Sequence, residues 1–250
     1  MSASLRSVAR RAAMTSALLA VVIMSVPTAS LDAQQQPPPQ PQQPTDTKSG
    51  NAATVVYKPP LRGAPGGRVG GGTRGTGREA FVLSVLAPNH TGLTTSEQPS
   101  LFWFISTSSS YPVELTLVDP EKTDPLLELR INPPISAGVH RIRLGDHNVR
   151  LQAGTPYQWY VAVVPDGGRR SKDILAGGAI ERVSLPDGLP DKITRTSKTD
   201  LPLLYAEAGL WYDAMAAIGE LIDQAPKDAA LLQQRSALLR QVGLPDANLP

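Results

Sequence analysis

An arginine- and glycine-rich segment near the start of the chain carries the residues best suited to bind an anion. Arg62, Arg68, Arg74 and Arg78 frame a stretch in which nearly every second position is glycine. Arginine guanidiniums bind carboxylate or phosphate as a fork, and consecutive glycines can turn several backbone N–H groups toward one anion. Two interpretations stay open. The segment is either an arm that contacts an anionic partner, or a flexible leader kept in solution by its charges.

The same segment contains Gly70, Gly72 and Gly75 in the spacing of the dinucleotide-binding fingerprint. That fingerprint requires a strand before the glycines and a helix after them, so that the helix N-terminus faces the pyrophosphate. Here no strand pattern precedes the glycines, and the β-type run AFVLSVLAP follows them. We therefore expect no nucleotide site, and the sequence predicts no cofactor of any other kind.

Acid–base and metal chemistry has few candidate residues. The chain has no cysteine and three histidines, which excludes a thiol nucleophile, a thiolate metal site and a disulfide framework. Asp146 and His147 are adjacent and His140 precedes them, but no third ligand follows at a suitable spacing, so no metal site is predicted. The charged loop 166–173 is expected to be solvated. Glu97 supports an alternative function, a glycan-acting hydrolase of the envelope, which would need a second carboxylate.

The segment 1–33 has the three-part pattern of a secretory signal peptide. Three arginines precede an uncharged run, Ala12–Val26, and small residues follow it. The run is shorter than the ~20 apolar residues that a membrane-spanning helix needs. We expect cleavage after Ala33 or Ala29 and a periplasmic or extracellular protein with no stable membrane span.

Cleavage would leave a neutral chain. Of the 24 basic and 22 acidic residues, three basic and one acidic lie in residues 1–33, which leaves 21 of each. Neutrality is not typical of proteins that bind the phosphate backbone, so nucleic acid is not expected as a partner. Residues 34–44 read QQQPPPQPQQP and cannot bury apolar surface, so residues 34–78 are predicted to be a disordered Gln/Pro linker followed by the arm.

From residue 79 to about residue 190 the hydrophobic pattern has the period of β-strands. The predicted strands cover residues 81–85, 101–105, 113–117, 127–131, 142–144, 157–163 and 180–185. Seven short strands separated by turn residues predict an immunoglobulin- or fibronectin-like antiparallel sandwich. The segment 151–157 also matches a tyrosine corner, in which a tyrosine at a strand start bonds back to upstream backbone.

Residues 200–245 have a helical period instead. Gly209 and Gly243 end two predicted helices, and their separation along the chain equals the period of the tetratricopeptide repeat. The pattern predicts a short three-helix tail of that kind, with too few repeats to be stable alone, so it must dock on the sandwich or on a partner. The first helix is predicted between residue 200 and Gly209, the second over residues 212–225 and the third over residues 230–242. Trp211 and Tyr212 are expected to pack between helices.

Short strings in a fixed order complete the pattern. They read RGAPGGRVGGGTRG at 62–75, LAP at 86–88, GLTTSEQP at 92–99, FWF at 102–104, YQW at 157–159 and YAEAGLWYDA at 205–214. Together they resemble the bacterial family called domain of unknown function 928, which is common in cyanobacteria, over residues 62–243. The resemblance implies an exported protein with a glycine–arginine leader, a sandwich and a helical tail, and it implies no reaction. Residues 105–107 depart from the aromatic–proline continuation of the family, so the following loop is expected to differ.

The sequence as a whole predicts an exported, non-enzymatic binding or scaffolding protein of the cell envelope. Its partner would be another envelope protein or a surface polymer. The arginine arm would add a contact to an anionic group on that partner.

Overall fold

The computed structural model describes residues 55–60, 67–70, 73–74 and 81–244, with the backbone alone for residues 73–74. The predicted signal peptide with Ala29 and Ala33, and the Gln/Pro linker, lie outside the described residues. The described residues form nine strands and four α-helices. The strands are β1 (Thr73–Arg74), β2 (Phe81–Val85), β3 (Gly92–Thr94), β4 (Ser100–Ile105), β5 (Val113–Val118), β6 (Leu127–Ile131), β7 (Gly138–Arg143), β8 (Pro156–Val163) and β9 (Ile174–Arg182). The helices are α1 (Leu189–Arg195), α2 (Leu201–Glu207), α3 (Trp211–Gln224) and α4 (Ala229–Gln241).

The strands form two sheets that share one hydrophobic core. The four-stranded sheet has the order β1-β2-β4-β7, and the five-stranded sheet has the order β3-β9-β8-β5-β6. All neighbours are antiparallel except β3 and β9, which run parallel. The prediction of a mainly β chain with a helical C-terminal part is confirmed.

Sequence alternation decides which side chains enter the core. In β5, Val113, Leu115 and Leu117 are fully buried, whereas the residues between them are half-buried. A strand with one face in the core and one face toward solvent has this pattern. In β4 the residues on both faces are buried, including Phe102 and Trp103. The four-stranded sheet therefore has a covered outer face at β4.

Helix α3 covers that outer face. A methyl group at Gly219 would lie 2.9 Å from Phe102 Cζ, so the helix backbone and the aromatic ring are already in close contact. The glycine permits this approach because it has no Cβ. The Arg141 guanidinium also lies over the Phe102 ring, 5.7 Å from its centroid, and pairs with Asp223 of the helix. Helix α3 thus packs against the outer face of the four-stranded sheet.

Local signals account for the helix ends. The Asp228 carboxylate accepts hydrogen bonds from the first N–H groups of α4, at 2.9 Å from Ala230 N and 3.3 Å from Leu231 N. Gly209 and Gly243 follow α2 and α4 with φ of 76° and 68°, the left-handed conformation that glycine adopts without strain. The three predicted helices are therefore confirmed with small shifts at their ends.

Apart from shifts at strand ends, four elements differ from the prediction. One is β1, a two-residue strand within the predicted arm. The last strand was expected at residues 180–185 but lies at Ile174–Arg182, because its central Gly177-Gly178 pair, which normally weakens a strand, is buried between close neighbours. The short strand β3 was not predicted, since so brief a strand shows no period. Helix α1 was also not predicted, because Pro190 in its first turn is typical of a turn.

Gly178 of β9 allows the five-stranded sheet to pack closely against Val85 of β2 and the adjacent Ala87. A methyl group at Gly178 would lie 2.7 Å from Ala87 Cβ and 3.5 Å from Val85 Cγ2, and the short Ala87 side chain cannot rotate away. We expect Gly178→Ala to lower the free energy of unfolding by about 1–3 kcal/mol through overpacking. Gly167→Ala is the matched control, because nothing lies within 4 Å of a methyl group there. Urea denaturation of both variants checks this, and equal stabilities would contradict it.

Candidate functional site

The start of helix α3 is locked into the β body by two buried aromatic residues. The Trp211 indole Nε1 donates to the Leu86 carbonyl oxygen at 2.9 Å. The Tyr212 hydroxyl donates to the Ala179 carbonyl oxygen at 3.0 Å and accepts from the Trp159 indole Nε1 at 2.9 Å. Every polar atom of these side chains is thus used inside the protein. We call this set of contacts the helix lock.

A buried carboxylate extends the helix lock. Asp213 accepts from the Thr95 backbone N–H at 2.9 Å and from its hydroxyl at 3.1 Å. Burial raises the pKa of Asp213, and the hydrogen bonds from Thr95 oppose that shift in part. The carboxylate ties the turn before β4 to the first turn of α3, where the helix dipole favours a negative charge.

Arg68, one of the predicted anion-binding residues, joins the same assembly from the other end of the helices. Its guanidinium donates to the carbonyl oxygens of Ala87, Val242 and Gly243, each at 3.2 Å. Desolvation by burial lowers the pKa of Arg68. A cation is well placed at the C-terminal end of α4, where carbonyl groups lack helical partners. Arg68 is therefore half-buried and bonded to carbonyl groups of the protein itself.

The described segment 55–60 is packed as well. Gln241 binds the backbone of this segment as a strand would, with its Nε2 2.8 Å from the Val55 carbonyl and its Oε1 2.8 Å from the Tyr57 N–H. The Tyr57 ring packs edge-on to Trp211 at 5.0 Å, and its hydroxyl lies 3.0 Å from His90 Nε2. Val55 and Tyr57 precede the arginine- and glycine-rich segment, and backbone and side-chain bonds hold them in place. The two interpretations of that segment stay predictions.

A cleft of about 420 Å³ lies on the outer face of the five-stranded sheet. The face results from the outward residues of β5, β8 and β9 together with the short 3-10 turn Arg170–Lys172. Its lining residues are Glu114, Thr116, Tyr160, Ala162, Arg170, Asp173 and Leu175. We call it the sheet cleft.

Ion pairs connect the charged residues of the sheet cleft. The Glu114 carboxylate contacts Arg130 and Arg170, each at 2.6 Å and each through a different oxygen. Arg170 Nε lies 2.9 Å from an oxygen of Asp173. The hydrogen bond from Arg170 is the largest cause that lowers the pKa of Glu114. Glu114 is therefore a fixed hydrogen-bond acceptor, held in place by two guanidiniums.

An aromatic ring forms the floor beside these charges. Tyr160 lies opposite Gly177 in the register of β8 and β9, and one edge of its ring covers that glycine. A methyl group at Gly177 would lie 2.5 Å from Tyr160 Cδ1, so the absent Cβ lets the ring lie low on the sheet. Leu175, with 42% of its surface exposed, completes the apolar part of the sheet cleft.

The sequence model of the family described as Domain of Unknown Function (DUF928) matches residues 69–248. This chain belongs to the DUF928 family. The resemblance predicted from the ordered strings is thereby confirmed. No curated protein matches the chain.

The strings that carry the DUF928 resemblance meet in the helix lock. Leu86 accepts from Trp211, Thr95 binds Asp213, and Trp159 binds Tyr212, so separate strings supply the two sides of each bond. These residues are hydrogen-bonded to one another inside the protein. In this DUF928 member they hold the helices on the β body. Trp211 and Tyr212 are buried, but they bind the β body, whereas the sequence predicted packing between helices.

The other candidate residues do not form a catalytic group. Glu97 pairs with Arg150 and lies 3.7 Å from Arg182, as an exposed ion-pair partner. His140 stacks on Trp103 with 4.2 Å between ring centroids, and Asp146 is exposed in a 3-10 turn. Within the described part of the chain, no three histidine, aspartate or glutamate residues are arranged to hold a metal ion.

The structure describes the side chain of only one predicted anion-binding residue, Arg68. Arg62, Arg78 and the side chain of Arg74 lie outside the described residues. Arg68 is described, and it binds internal carbonyl groups. The anion-binding role of all four arginines stays a prediction.

Sequence analysis missed the sheet cleft. Arg170 and Asp173 belong to the loop that was expected to be merely solvated, but they contact each other, and Arg170 also contacts Glu114 across the sheet. The outward positions Glu114, Thr116 and Tyr160 offered one signal, since they alternate with buried residues. The pairing that brings β5, β8 and β9 together could not be seen in any one strand.

The Tyr212 hydroxyl provides a direct test of the helix lock. Tyr212→Phe would leave the Trp159 N–H and the Ala179 carbonyl without the bonds that the hydroxyl makes. We expect a loss of about 1–3 kcal/mol in the free energy of unfolding, because buried polar groups that lose a partner keep their desolvation cost. Tyr111→Phe is the control, since Tyr111 is 48% exposed. Urea denaturation measures both, and an unchanged Tyr212→Phe midpoint would disprove the lock.

The buried Asp213 carboxylate predicts a pH dependence. Because burial raises the pKa of Asp213, the folded protein binds its proton more tightly than the unfolded chain does. Its contribution to stability is therefore greatest below the ordinary aspartate pKa of about 3.9 and falls as the pH rises to the raised value. The stability advantage of the parent over Asp213→Asn should shrink over that window in urea titrations. Asp187→Asn, an exposed aspartate, controls for the lost charge; an advantage that grows with pH contradicts the assignment.

Proposed function

We propose that this DUF928 protein is an exported, non-enzymatic binding protein of the cell envelope that uses the sheet cleft as its binding surface. The partner is an envelope protein or a surface polymer. The observation that carries the proposal is the sheet cleft itself. It is a concave surface of about 420 Å³ that joins an aromatic ring to paired charges on an exposed sheet face.

The ion pairs of Glu114, Arg170 and Asp173 favour a binding role for the sheet cleft over a catalytic one. A general acid needs a raised pKa near the working pH, whereas the pKa of Glu114 is lowered by its hydrogen bond to Arg170. Arg170 in turn contacts Asp173 at 2.9 Å, so the cleft's charged groups are held by one another. Groups fixed in this way are suited to orient a ligand, because they need no reorganisation when it binds.

The proposal includes an immunoglobulin-like arrangement for the β body. Strand orders β2-β4-β7 and β9-β8-β5-β6 correspond to A-B-E and G-F-C-C′ of that fold. The Tyr157 hydroxyl accepts from the Gln152 backbone N–H at 3.1 Å, a bond of the kind found in a tyrosine corner, which supports this arrangement. In such sandwiches, sheet faces and end loops are the usual binding surfaces. A tetratricopeptide-like origin of the tail is supported by Gly209 and Gly243, which are separated by one period of that repeat.

Export rests on the signal-peptide pattern of residues 1–33, with cleavage after Ala33 or Ala29. The mature protein would lie in the periplasm or outside the cell. Among the described helices, none combines the length and the apolar character needed to cross a membrane.

The arginine arm has a reduced role in this proposal. Arg68 binds carbonyl groups at the end of α4, so an anionic contact would depend on Arg62, Arg74 and Arg78. Nucleic acid is not part of the proposal, because the chain left after cleavage is neutral.

Site-specific photo-crosslinking in the native envelope tests the proposed surface. A photoreactive phenylalanine analogue replaces Leu175 in the sheet cleft, and a matched variant carries it at Leu185, an equally exposed leucine outside the cleft, with exposures of 42% and 46%. We expect a crosslinked product in the envelope fraction that is at least several-fold stronger from position 175. Equal or absent crosslinking at the two positions, or retention of the protein in the cytoplasm, would overturn the proposal.

A further inference from the structure

We propose that the sheet cleft binds a neutral polysaccharide chain laid across the strands of the five-stranded sheet. This inference rests on the proposed function and names its ligand class. It depends on three features of the cleft: its mutually paired charges, its combination of polar groups with an aromatic ring, and its continuation into a second hollow.

The charged groups at the sheet cleft are paired with one another, and Arg130 of β6 borders the cleft. Two carboxylates, Glu114 and Asp173, are paired with two guanidiniums, Arg130 and Arg170. An anionic ligand would have to compete with these carboxylates for the guanidiniums, and a cationic ligand would have to compete with the guanidiniums. A neutral ligand can bind to all four groups without breaking any pair.

The paired groups still have hydrogen-bonding capacity. Arg170 has five N–H donors, and its contacts to Glu114 and Asp173 use one nitrogen atom each. A carboxylate has about four lone-pair sites, so Glu114 can accept further bonds beside its two guanidiniums. Donors and acceptors fixed side by side match the neighbouring hydroxyl groups of a sugar, each of which both donates and accepts.

The apolar part of the cleft matches the other surface of a sugar ring. Sugar rings have C–H faces that pack on aromatic side chains, and Tyr160 lies low on the sheet because Gly177 leaves room for it. Its hydroxyl donates to Gln158, which fixes the ring. Leu175 and Ala162 extend the apolar surface next to Arg170. An aromatic floor bordered by fixed polar groups is the usual design of a small-ligand site.

The cleft continues along the sheet, which favours a chain over a single small molecule. A second hollow of about 260 Å³ shares Glu114 and Thr116 with the first and reaches β6 at Glu128 and Arg130. The two hollows lie in line across β9, β8, β5 and β6. Glu128 adds a negative charge at the far end, which further disfavours an anionic polymer.

Affinity electrophoresis of the full chain tests the inference. The protein runs in native gels that contain dextran, soluble starch, β-1,3-glucan or mannan, with dextran sulfate as the anionic comparison. We expect at least one neutral polysaccharide to retard the parent protein, and Tyr160→Ala to weaken that retardation about tenfold, as expected for a central aromatic contact. Tyr111→Ala, which removes an exposed tyrosine outside the cleft, should match the parent.

A second pair of variants guards against a folding defect. Leu175→Lys places a charge in the cleft at an exposed position, and Leu185→Lys places the same charge outside it. Weakened retardation of the first variant alone supports the inference, provided that both unfold at the parent's urea concentration. The inference is overturned if no neutral polysaccharide retards the protein, if dextran sulfate retards it most, or if the cleft variants bind like the parent. If crosslinking at position 175 persists in those cases, the proposed binding function stands and only the ligand class is wrong.

Discussion

The structure depends on one hydrogen-bonded group, the Tyr212 hydroxyl between the Trp159 indole and the Ala179 carbonyl. This hydroxyl is buried among apolar residues, where an unpaired polar group would be costly. Its two bonds can form only when α3 is docked against β8 and β9. The contact therefore couples the folding of the helices to the folding of the sheets, and it explains how so short a helical segment is stable.

The helix lock also determines which surface is left for binding. With α3 held at Tyr212, Gly219 reaches Phe102, and the outer face of the four-stranded sheet is covered at β4. In the five-stranded sheet, buried and half-buried residues alternate along a strand such as β5, so its outer face carries the half-buried residues. The two sheets thus have different roles. One provides a second hydrophobic layer under the helices, and the other presents the sheet cleft.

Most of the fold could be predicted from local patterns, because strand and helix periods, Asp228 and the glycines after the helices act within a few residues. The helix lock could not, since its partners are far apart in sequence: Trp211 binds Leu86, and Asp213 binds Thr95. The family strings marked these residues without showing that they touch. Arg68 shows the same limit, because its carbonyl partners, Ala87 and Val242, lie far from it in sequence. The sheet cleft depends on strand register, which no single strand reveals.

Stability alone does not account for the charges of the sheet cleft. Arg130 and Arg170 each keep 55% of their side-chain surface exposed, and exposed ion pairs contribute only about 0–1 kcal/mol each. Holding two arginines in one geometry also costs side-chain entropy. A sheet face that had only to stay soluble would not need arginines held in ion pairs, because unpaired lysines or threonines would serve as well. Groups that are held in register with Tyr160, at little gain in stability, are better explained by a ligand that contacts them together.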